Sequence, residues 1–278
     1  MNIDQIIENA ITEDIGNGDH TSLSCIPKNA KGKAKLLVKD KGILAGVSIA
    51  EKIFQKFDPD LKLTILLHDG ANIKNGDVVF YVEGSSVSIL SSERLVLNFM
   101  QRMSGIATAT NELTKLISGT GAMILDTRKT TPMLREFEKM AVKIGGGLNH
   151  RMGLYDMIMI KDNHIDFAGG IEKAINAARL YIKEKNKSLK IEIEARSIDD
   201  VREIMQIGGV DRIMLDNFTP KNLKLAVDII GKNYETEASG GINKLNIRAY
   251  AETGVDYISV GAITHHIKSL DMSLKAVK

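Results

Sequence analysis

Charged residues and glycines follow a series of short apolar segments in this chain, and their chemical types suit the binding of anions. The segment 121–125 leads directly into Asp126-Thr127-Arg128-Lys129, and five later segments end in a similar way. Arginine presents a planar fork that matches carboxylate or phosphate, and lysine acts as a compact point charge on phosphate. The residues at these segment ends include Arg128, Lys129, Lys161, Glu194, Asp216, Ser239, Gly240 and Gly261. The pattern predicts an enzyme with an anionic substrate.

Cations are dense between residues 94 and 161, and the context of five of them favours a binding site. An isolated lysine or arginine is most often a solvated surface residue. That explanation is weaker for Arg128, Lys129 and Lys161, because each follows a strand of buried composition. It is also weaker for His150 and Arg151, which follow a glycine-rich, loop-forming stretch. Several cations together imply a substrate with more than one negative group.

Carboxylates form a second group at two predicted strand ends. Glu192 and Glu194 share one face of a strand because side chains alternate along it, and Asp216 ends the next strand. Adjacent strand ends would bring Glu194 and Asp216 together. Beside an anionic ligand, such a pair could hold magnesium or accept hydrogen bonds from a ribose diol. Salt bridges to neighbouring cations are the alternative, and they explain Glu192 equally well.

Glycine-rich turns follow the last two predicted strands. Ser239-Gly240-Gly241 follows one of them and Gly261 follows the other. Glycine lets backbone amides approach an anion closely, and the loops after the last strands of α/β barrels commonly bind phosphate. The pattern therefore predicts a phosphate subsite at these turns, with His265 on the ligand side.

Strands and helices alternate from residue 121 onward, which predicts a parallel sheet covered on both faces. Functional residue types follow essentially every strand, whereas an open doubly wound sheet concentrates them at its switch point. Gly145-Gly146-Gly147 follows a predicted helix and indicates a helix stop rather than a dinucleotide motif. We therefore expect an α/β barrel. Arg135 and Lys139 lie four residues apart on one helix and are expected on its solvated face. The predicted helices cover residues 134–144, 170–183, 198–207, 220–230 and 244–252.

Roughly the first 100 residues have a different pattern. Short alternating or apolar segments separated by turn glycines predict a small, mainly antiparallel β region. The predicted strands cover residues 33–39, 42–47, 62–67 and 78–82, and the predicted helices cover 3–12 and 49–57. A helical period over 91–116 predicts a long helix that leads into the second domain.

Composition restricts the class of protein and its partners. The chain has 278 residues, 44% of them hydrophobic, which is enough for two modest domains. A net charge of +2 gives no reason to expect a nucleic-acid or membrane partner, and no apolar run approaches the ~20 residues that span a bilayer. The single cysteine, Cys25, excludes an intrachain disulfide. Together with an N-terminus unlike a signal peptide, it predicts a cytoplasmic protein.

Several segments, in this order along nearly the whole chain, resemble the quinolinate phosphoribosyltransferase family. They comprise residues 93–98, 101–108, 126–130, 145–151, 161–164, 215–217, 237–241 and 261–265. The resemblance implies an α/β fold with an N-terminal α/β sandwich over residues 1–105. It further implies an incomplete, roughly seven-stranded α/β barrel over 106–267, with the tail 268–278 packed back on the first domain.

The resemblance also implies a reaction, a cofactor and an assembly. Quinolinate and phosphoribosyl pyrophosphate would give nicotinate mononucleotide, pyrophosphate and carbon dioxide with Mg²⁺, in a homodimer whose active sites are shared. The residues expected around quinolinate are Arg94 of the neighbouring subunit, Arg128, His150, Arg151 and Lys161. Those expected around phosphoribosyl pyrophosphate are Lys129, Glu194, Asp216, Ser239, Gly240, Gly261 and His265. Catalytic roles would fall to Lys129, Lys161, Glu194 and Asp216, the last two also holding the metal.

Three other functions compete with this interpretation. A paralogue on the same scaffold, such as the homologue encoded with molybdate-transport genes, would use another acceptor, and the complete set of cations argues against it. A non-catalytic sugar-phosphate binding module would not need the paired Glu194 and Asp216. A lipoyl- or biotin-type carrier would need a lysine flanked by methionine at an exposed hairpin tip, a pattern that the β region lacks.

Overall fold

The computed structural model describes residues 2–277, in which helices and strands position the predicted strand-end residues. The strands are β1 Lys31–Val38, β2 Gly42–Ile43, β3 Lys62–Ile65, β4 Asn72–Ile73, β5 Val78–Ser85, β6 Met123–Leu125, β7 Ile158–Ile160, β8 Ile191–Ala195, β9 Arg212–Asp216, β10 Glu235–Ser239, β11 Tyr257–Ser259 and β12 Met272–Ala276. The helices are α1 Ile3–Ile15, α2 His20–Cys25, α3 Val47–Phe57, α4 Ser86–Leu116, α5 Arg135–Ile144, α6 Asp162–Ala168, α7 Ile171–Glu184, α8 Ile198–Ile207, α9 Pro220–Ile230, α10 Ile247–Ala251 and α11 Ala262–His265.

The chain divides into two compact units. The first contains the residues up to Asn111, Thr131–Gly146 and the residues from Ile263 onward. The second contains Glu112–Thr130 and Gly147–Ala262. Within the described residues, none of the helices combines the length and the apolar character needed to cross a bilayer.

A four-stranded antiparallel sheet forms the first unit, in the order β12-β1-β5-β3. Alternation along β1 buries Ala34, Leu36 and Val38 on one face. β12, at the C-terminal end of the chain, pairs with β1 so that Leu36 lies opposite Leu274. β2 ends at Ile43, short of the predicted range 42–47, and α3 begins directly after Gly46, which adopts a left-handed conformation at φ 97°. The α/β class predicted for this part of the chain is confirmed.

Two charged residues of α5 are buried in the first unit, and the prediction of a solvated Lys139 is wrong, whereas Arg135 is half-buried. Lys139 and Glu138 are both 1% exposed. Glu138 Oε1 accepts hydrogen bonds from Arg102 Nε at 2.9 Å and from Arg102 Nη2 at 2.6 Å. Arg102 also donates to the carbonyl oxygen of Thr264 at 3.2 Å. Charge spacing along α5 could not reveal this burial, because the compensating arginine comes from α4.

A parallel sheet of six strands forms the second unit, in the order β6-β11-β10-β9-β8-β7. Leu148 adds an isolated parallel bridge to Leu125 at the β6 edge. The predicted parallel α/β architecture is confirmed, with six strands and this bridge in place of about seven strands. Because all six strands run the same way, their carboxyl ends lie at one edge of the sheet.

Side-chain caps set several helix boundaries. Ser197 accepts a hydrogen bond from the backbone N–H of Asp200 at the start of α8, and Thr219 caps α9 directly before Pro220. α10 is shorter than predicted and begins after Asn246. Asn243 Oδ1 accepts from the backbone N–H of Leu245, and Asn246 Oδ1 accepts from that of Asn243. These local bonds compete with the first helical turn. Gly145 ends α5, as the glycine run predicts.

Candidate active site

The alternation of side chains along β8 and the register between β9 and β10 place carboxylates at the carboxyl edge of the parallel sheet. β8 reads Ile-Glu-Ile-Glu-Ala and is buried throughout. In the pairing of β9 with β10, Asp216 lies opposite Ser239, so these two strand ends are level. Lys161 follows the last residue of β7 and caps α6, where its backbone N–H donates to His164 Nδ1 at 2.9 Å. The strand ends thus present both signs of charge at one edge.

Glu194 lies between a cation and a second carboxylate. Its Oε2 is 3.6 Å from Lys161 Nζ, and its side chain is nearly buried while that of Lys161 is half-exposed. Burial raises the pKa of Glu194, and the negative charge of Asp216 raises it further, against the opposing effect of Lys161. The three groups therefore form a site in which an added cation would relieve carboxylate repulsion and an anion could contact the lysine.

Hydrogen bonds from two neighbouring residues fix the Asp216 carboxylate, and a tight turn positions both of them. Its Oδ1 accepts a hydrogen bond from the Ser239 hydroxyl, and its Oδ2 accepts one from Asn217 Nδ2 at 2.5 Å. Asn217 adopts a left-handed conformation at φ 57°, and its backbone N–H donates to the carbonyl oxygen of Ser239 at 2.9 Å. A Cβ on Gly240 would lie 2.6 Å from the Asn217 side-chain carbon Cγ. The turn after β10 therefore requires glycine at this position.

We predict that Gly240→Ala destabilises the protein by about 1–3 kcal/mol more than Gly241→Ala, because only Gly240 is crowded. Both glycines have positive φ, at 91° and 64°, but a Cβ on Gly241 would meet no atom within 4 Å. The comparison therefore cancels the backbone strain common to both substitutions. Urea unfolding of the two variants measures the difference, and equal free energies of unfolding would contradict the crowding argument.

Two arginines of the second unit, Arg128 and Arg151, are close enough for their charges to interact, and we call this pair the cationic wall. Arg128 is exposed in the turn after β6, where the Lys129 backbone N–H donates to the Thr127 hydroxyl oxygen at 3.0 Å. Arg151 is half-buried, and its Nη1 donates to the carbonyl oxygen of Met157 at 3.2 Å. Burial lowers the pKa of Arg151, and the charge of Arg128 lowers it further. Mutual repulsion between two guanidinium groups favours the binding of an anion between them.

A buried ionic cluster lies within the same sheet. Glu192 and Glu237 are both 0% exposed, on β8 and β10. His150 Nε2 lies 2.9 Å from Glu192 Oε2 and 3.3 Å from Glu237 Oε2. Arg212 Nη1 donates to Glu237 Oε2 at 3.0 Å, and its guanidinium lies 4.2 Å from the centre of the Tyr257 ring. Two residues that can carry positive charge therefore lie beside two buried carboxylates. We call this group of four residues the buried ionic cluster; its members are His150, Glu192, Arg212 and Glu237.

Arg212→Ala should lower the free energy of unfolding by about 3–5 kcal/mol, because it leaves Glu237 as a buried carboxylate without its guanidinium. The control is Arg202→Ala, which removes an exposed arginine paired with Asp199 on α8. Exposed pairs contribute about 0–1 kcal/mol, so the control should stay close to the unmodified protein. Denaturant unfolding measures both variants. Equal stabilities would contradict the compensating role of Arg212.

Within residues 2–277, two groups of site residues have the chemistry to hold a cation. Glu194 and Asp216 present carboxylate oxygens at the strand ends, which is the donor type that magnesium prefers. His150, Glu192 and Glu237 have ligand atoms within 4.8 Å of one another. Arg212 already contacts one of the Glu237 oxygens in that second set. The pair at the strand ends, in which Asp216 is only half-buried, is therefore the better candidate for a metal that binds with substrate.

Family models match the two parts of the chain separately. The model described as the N-terminal domain of quinolinate phosphoribosyl transferase matches residues 19–104, and that of the C-terminal domain matches 106–275. The chain belongs to the quinolinate phosphoribosyltransferase family.

A family member from Nicotiana glauca, the mitochondrial "quinolinate phosphoribosyltransferase [decarboxylating] 2", is 44% identical over 98% of this chain and 81% of its own. The "probable nicotinate-nucleotide pyrophosphorylase [carboxylating]" of Bacillus subtilis is 40% identical, over 99% and 93%. The crystal structure of NadC from Streptococcus pyogenes superimposes with a TM-score of 0.93 at 37% identity, over 99% of this chain and 97% of that one.

The second unit of this quinolinate phosphoribosyltransferase family member contains most of the predicted site residues. Arg94, which is exposed on α4, and His265, which is exposed on α11, belong to the first unit. His265 Nδ1 lies 2.7 Å from His266 Nδ1. The predicted residues within the second unit are Arg128, Lys129, His150, Arg151, Lys161, Glu194, Asp216, Ser239, Gly240 and Gly261.

Three residues that shape the site have no role predicted from the sequence. Asn217 and Glu237 lie within segments that carry the family resemblance, and Arg212 begins β9. The signal for Glu237 was the alternation of Glu235 and Glu237 along β10, which matches that of the two glutamates in β8. Charged residues inside a strand of otherwise buried composition need partners, and that requirement could have indicated Arg212.

Proposed function

We propose that this protein transfers the phosphoribosyl group of phosphoribosyl pyrophosphate to quinolinate, with loss of carbon dioxide, in NAD biosynthesis. The products are nicotinate mononucleotide, pyrophosphate and carbon dioxide. The observation that supports this most is the placement, within one unit, of the Arg128–Arg151 wall and the Lys161–Glu194–Asp216 group. One substrate is a dianion and the other carries several more charges, so binding both requires such a concentration of cations.

The cationic wall suits the two carboxylates of quinolinate. Guanidinium groups of Arg128 and Arg151 bind carboxylates through paired hydrogen bonds, and Lys161 supplies a third positive charge. Holding the 2-carboxylate in this way directs the ring nitrogen towards the anomeric carbon of the sugar. Positioning of this kind converts a reaction between two molecules into one within a single complex.

The remaining strand-end residues suit phosphoribosyl pyrophosphate. Lys129 and the turns at Gly240 and Gly261 can contact phosphate oxygens, the glycines through backbone amides. Glu194 and Asp216 can accept hydrogen bonds from the ribose hydroxyls. Their negative charges also stabilise the positive character that develops at the anomeric carbon. We assign Ser239 and His265 to the same substrate, Ser239 through its hydrogen bond to Asp216.

The chemistry needs no covalent intermediate with the protein. The ring nitrogen of quinolinate donates its lone pair to the anomeric carbon as the bond to the pyrophosphate oxygen breaks, and pyrophosphate leaves with that electron pair. The ring nitrogen is then positively charged. The bond between ring carbon C2 and the 2-carboxylate then breaks and its electron pair stays on C2, where the adjacent positive nitrogen stabilises it. Carbon dioxide leaves, and C2 takes a proton from solvent.

Magnesium fits the carboxylate pair at the strand ends. Glu194 and Asp216 offer oxygen ligands, and a cation between them would remove the repulsion that raises the pKa of Glu194. When bound, Mg²⁺ supplies neutralising charge to the pyrophosphate leaving group. The proposal also includes a cytoplasmic location, which is supported by a single, free cysteine, Cys25.

We further propose a homodimer in which Arg94 of one subunit completes the quinolinate site of the other. Its exposure on α4 leaves the guanidinium available for such a contact. Mixing an Arg94→Ala variant with a Lys161→Ala variant should then restore about a quarter of the wild-type rate. Half of the randomly exchanged dimers would carry one intact site out of two. Failure to recover any activity after confirmed subunit exchange would exclude a shared site.

The function is tested by incubating the protein with phosphoribosyl pyrophosphate, Mg²⁺ and one of several pyridine carboxylates, and identifying the products by mass. We expect nicotinate mononucleotide from quinolinate and a much lower rate from nicotinate. Removal of Mg²⁺ with a chelator should stop the reaction. Turnover of another acceptor in preference to quinolinate would identify a paralogue. Tight binding of phosphoribosyl pyrophosphate without release of pyrophosphate would identify a binding module.

A further inference from the structure

The guanidinium group of Arg102 joins three segments of the first unit. It pairs with Glu138 of α5, with Nη2 2.6 Å and Nε 2.9 Å from Glu138 Oε1. The same Nη2 donates to the hydroxyl oxygen of Thr131 at 2.7 Å and to the carbonyl oxygen of Thr264 at 3.2 Å. The Glu138 side chain is 1% exposed and that of Arg102 is 30% exposed. Arg102 of α4 is thus bonded to α5, to the loop before α5 and to α11.

Thr131 is held at both its backbone and its side chain. Its N–H donates to Glu138 Oε2 at 3.2 Å, so the two carboxylate oxygens of Glu138 serve Thr131 and Arg102 separately. The Thr131 carbonyl oxygen accepts from the backbone N–H of Leu134 at 3.1 Å and closes a turn. Within that turn the exposed Met133 has a φ of 69°, a conformation that residues other than glycine rarely adopt and that persists only where the surroundings hold it. The Arg102–Glu138 pair therefore anchors the beginning of a strained turn.

The two segments that Arg102 bonds outside α5 carry residues assigned to phosphoribosyl pyrophosphate. Lys129 lies two residues before Thr131, and His265 directly follows Thr264. The chain also passes from the second unit to the first directly before Thr131 and shortly before Thr264. A misplacement of about 1 Å can cost about a hundredfold in rate. Fixing Thr131 and Thr264 through one guanidinium group therefore limits the positions that the neighbouring Lys129 and His265 can adopt.

We propose that Arg102 is a positioning residue for phosphoribosyl pyrophosphate. It acts on Lys129 through Thr131 and on His265 through Thr264, and it contacts neither substrate. This inference rests on the proposed function. A purely structural ion pair would affect stability alone, whereas a positioning pair also weakens the binding of one substrate more than that of the other when it is altered.

The first test replaces Arg102 with lysine, which keeps a positive charge beside Glu138. An ammonium group cannot reproduce the fork of guanidinium N–H groups that reaches Glu138, Thr131 and Thr264 together. We expect Arg102→Lys to raise the KM for phosphoribosyl pyrophosphate about tenfold at saturating quinolinate. The KM for quinolinate should rise less than about threefold, because only one of the two segments carries a quinolinate residue, Arg128.

Ser104→Ala is the matched control for the loss of a buried contact on α4. Ser104 is 0% exposed, and its hydroxyl accepts from the backbone N–H of Ala45 at 2.9 Å and donates to the Ala45 carbonyl oxygen at 3.1 Å. Its loss should lower the melting temperature and leave both KM values within about twofold of wild type. An Arg102→Lys variant that behaves in the same way, or that raises both KM values equally, would overturn the inference.

A second pair of variants covers the case in which Arg102→Lys does not fold. Thr131→Val removes the hydroxyl acceptor and keeps the backbone N–H bonded to Glu138, whereas Thr131→Ser keeps both groups. We expect Thr131→Val to raise the KM for phosphoribosyl pyrophosphate about threefold and Thr131→Ser to leave it within about 1.5-fold of wild type. Equal KM values in the two variants would contradict a role for the hydroxyl and overturn the inference.

Combining the substitutions separates positioning from direct contact with the substrate. If the Thr131 hydroxyl acts through Arg102, Thr131→Val adds less than about 1.5-fold to the KM in the Arg102→Lys background. Independent effects would multiply to a rise of about thirtyfold. That result would assign the hydroxyl to the substrate itself and exclude the connection through Arg102. Absence of turnover by the wild-type protein would instead refute the proposed function.

Discussion

Arg128→Ala should lower kcat/KM for quinolinate by about a thousandfold and leave the melting temperature within about 2 °C of wild type. The side chain is exposed, so its loss removes little packing. Its charge lies close enough to Arg151 to lower the pKa of that guanidinium. Without Arg128, one carboxylate of quinolinate would lose its paired hydrogen bonds. Steady-state kinetics measures kcat/KM, and calorimetry measures the melting temperature.

Arg202→Ala is the control for Arg128→Ala, since it removes an exposed arginine on α8 whose partner is Asp199. It should leave kcat/KM within about twofold of wild type. Arg128→Lys should restore only a small part of the activity, because an ammonium group cannot reproduce the two parallel hydrogen bonds of a guanidinium. A folded Arg128→Ala variant with near-normal kcat/KM would refute the assignment of the cationic wall to quinolinate.

Lys161→Ala should lower kcat/KM by about a hundredfold or more, again in a folded protein. The substitution removes a positive charge expected to face quinolinate, and it removes the cation 3.6 Å from Glu194. The pKa of Glu194, already raised by burial and by Asp216, should rise further because Lys161 opposes that shift. The pH at which activity is lost on acidification should therefore move upward. A pH–rate profile of the variant measures this change.

Lys183→Ala, at an exposed lysine on α7, is the control for Lys161→Ala. It should leave both the rate and the pH profile unchanged. A Lys161→Ala variant with a normal rate would exclude Lys161 from the site. A reduced rate whose loss at low pH occurs at the same pH as in wild type would indicate that Lys161 acts in quinolinate binding and not through the pKa of Glu194.

Local signals explain which helix boundaries could be predicted from the sequence. The predicted ranges for α8 and α9 are identical to those in the structure, because a capping serine precedes one and a threonine followed by proline begins the other. The start of α10 was missed because Asn243 and Asn246 form side-chain bonds to nearby backbone N–H groups. Those bonds are as local as a cap, but the sequence does not show which of the competing patterns is formed.

The pairing of buried charges on one strand with residues on distant strands could not be predicted from such local signals. The alternation along β8 placed Glu192 and Glu194 on one face, yet one is fully buried and the other contacts Lys161 at the strand end. Which environment each meets depends on Arg212 and Glu237, on two other strands. The partners of His150 are equally distant in sequence. The sequence therefore identified the strand-end residues better than the residues within the strands that position them.

Quinolinate labelled with ¹⁴C in the 2-carboxylate provides the most direct test of the central claim, that one site couples phosphoribosyl transfer to decarboxylation. With phosphoribosyl pyrophosphate and Mg²⁺, we expect labelled carbon dioxide and pyrophosphate in equal amounts throughout the reaction. Label retained in the nucleotide product, or carbon dioxide released without pyrophosphate, would contradict it.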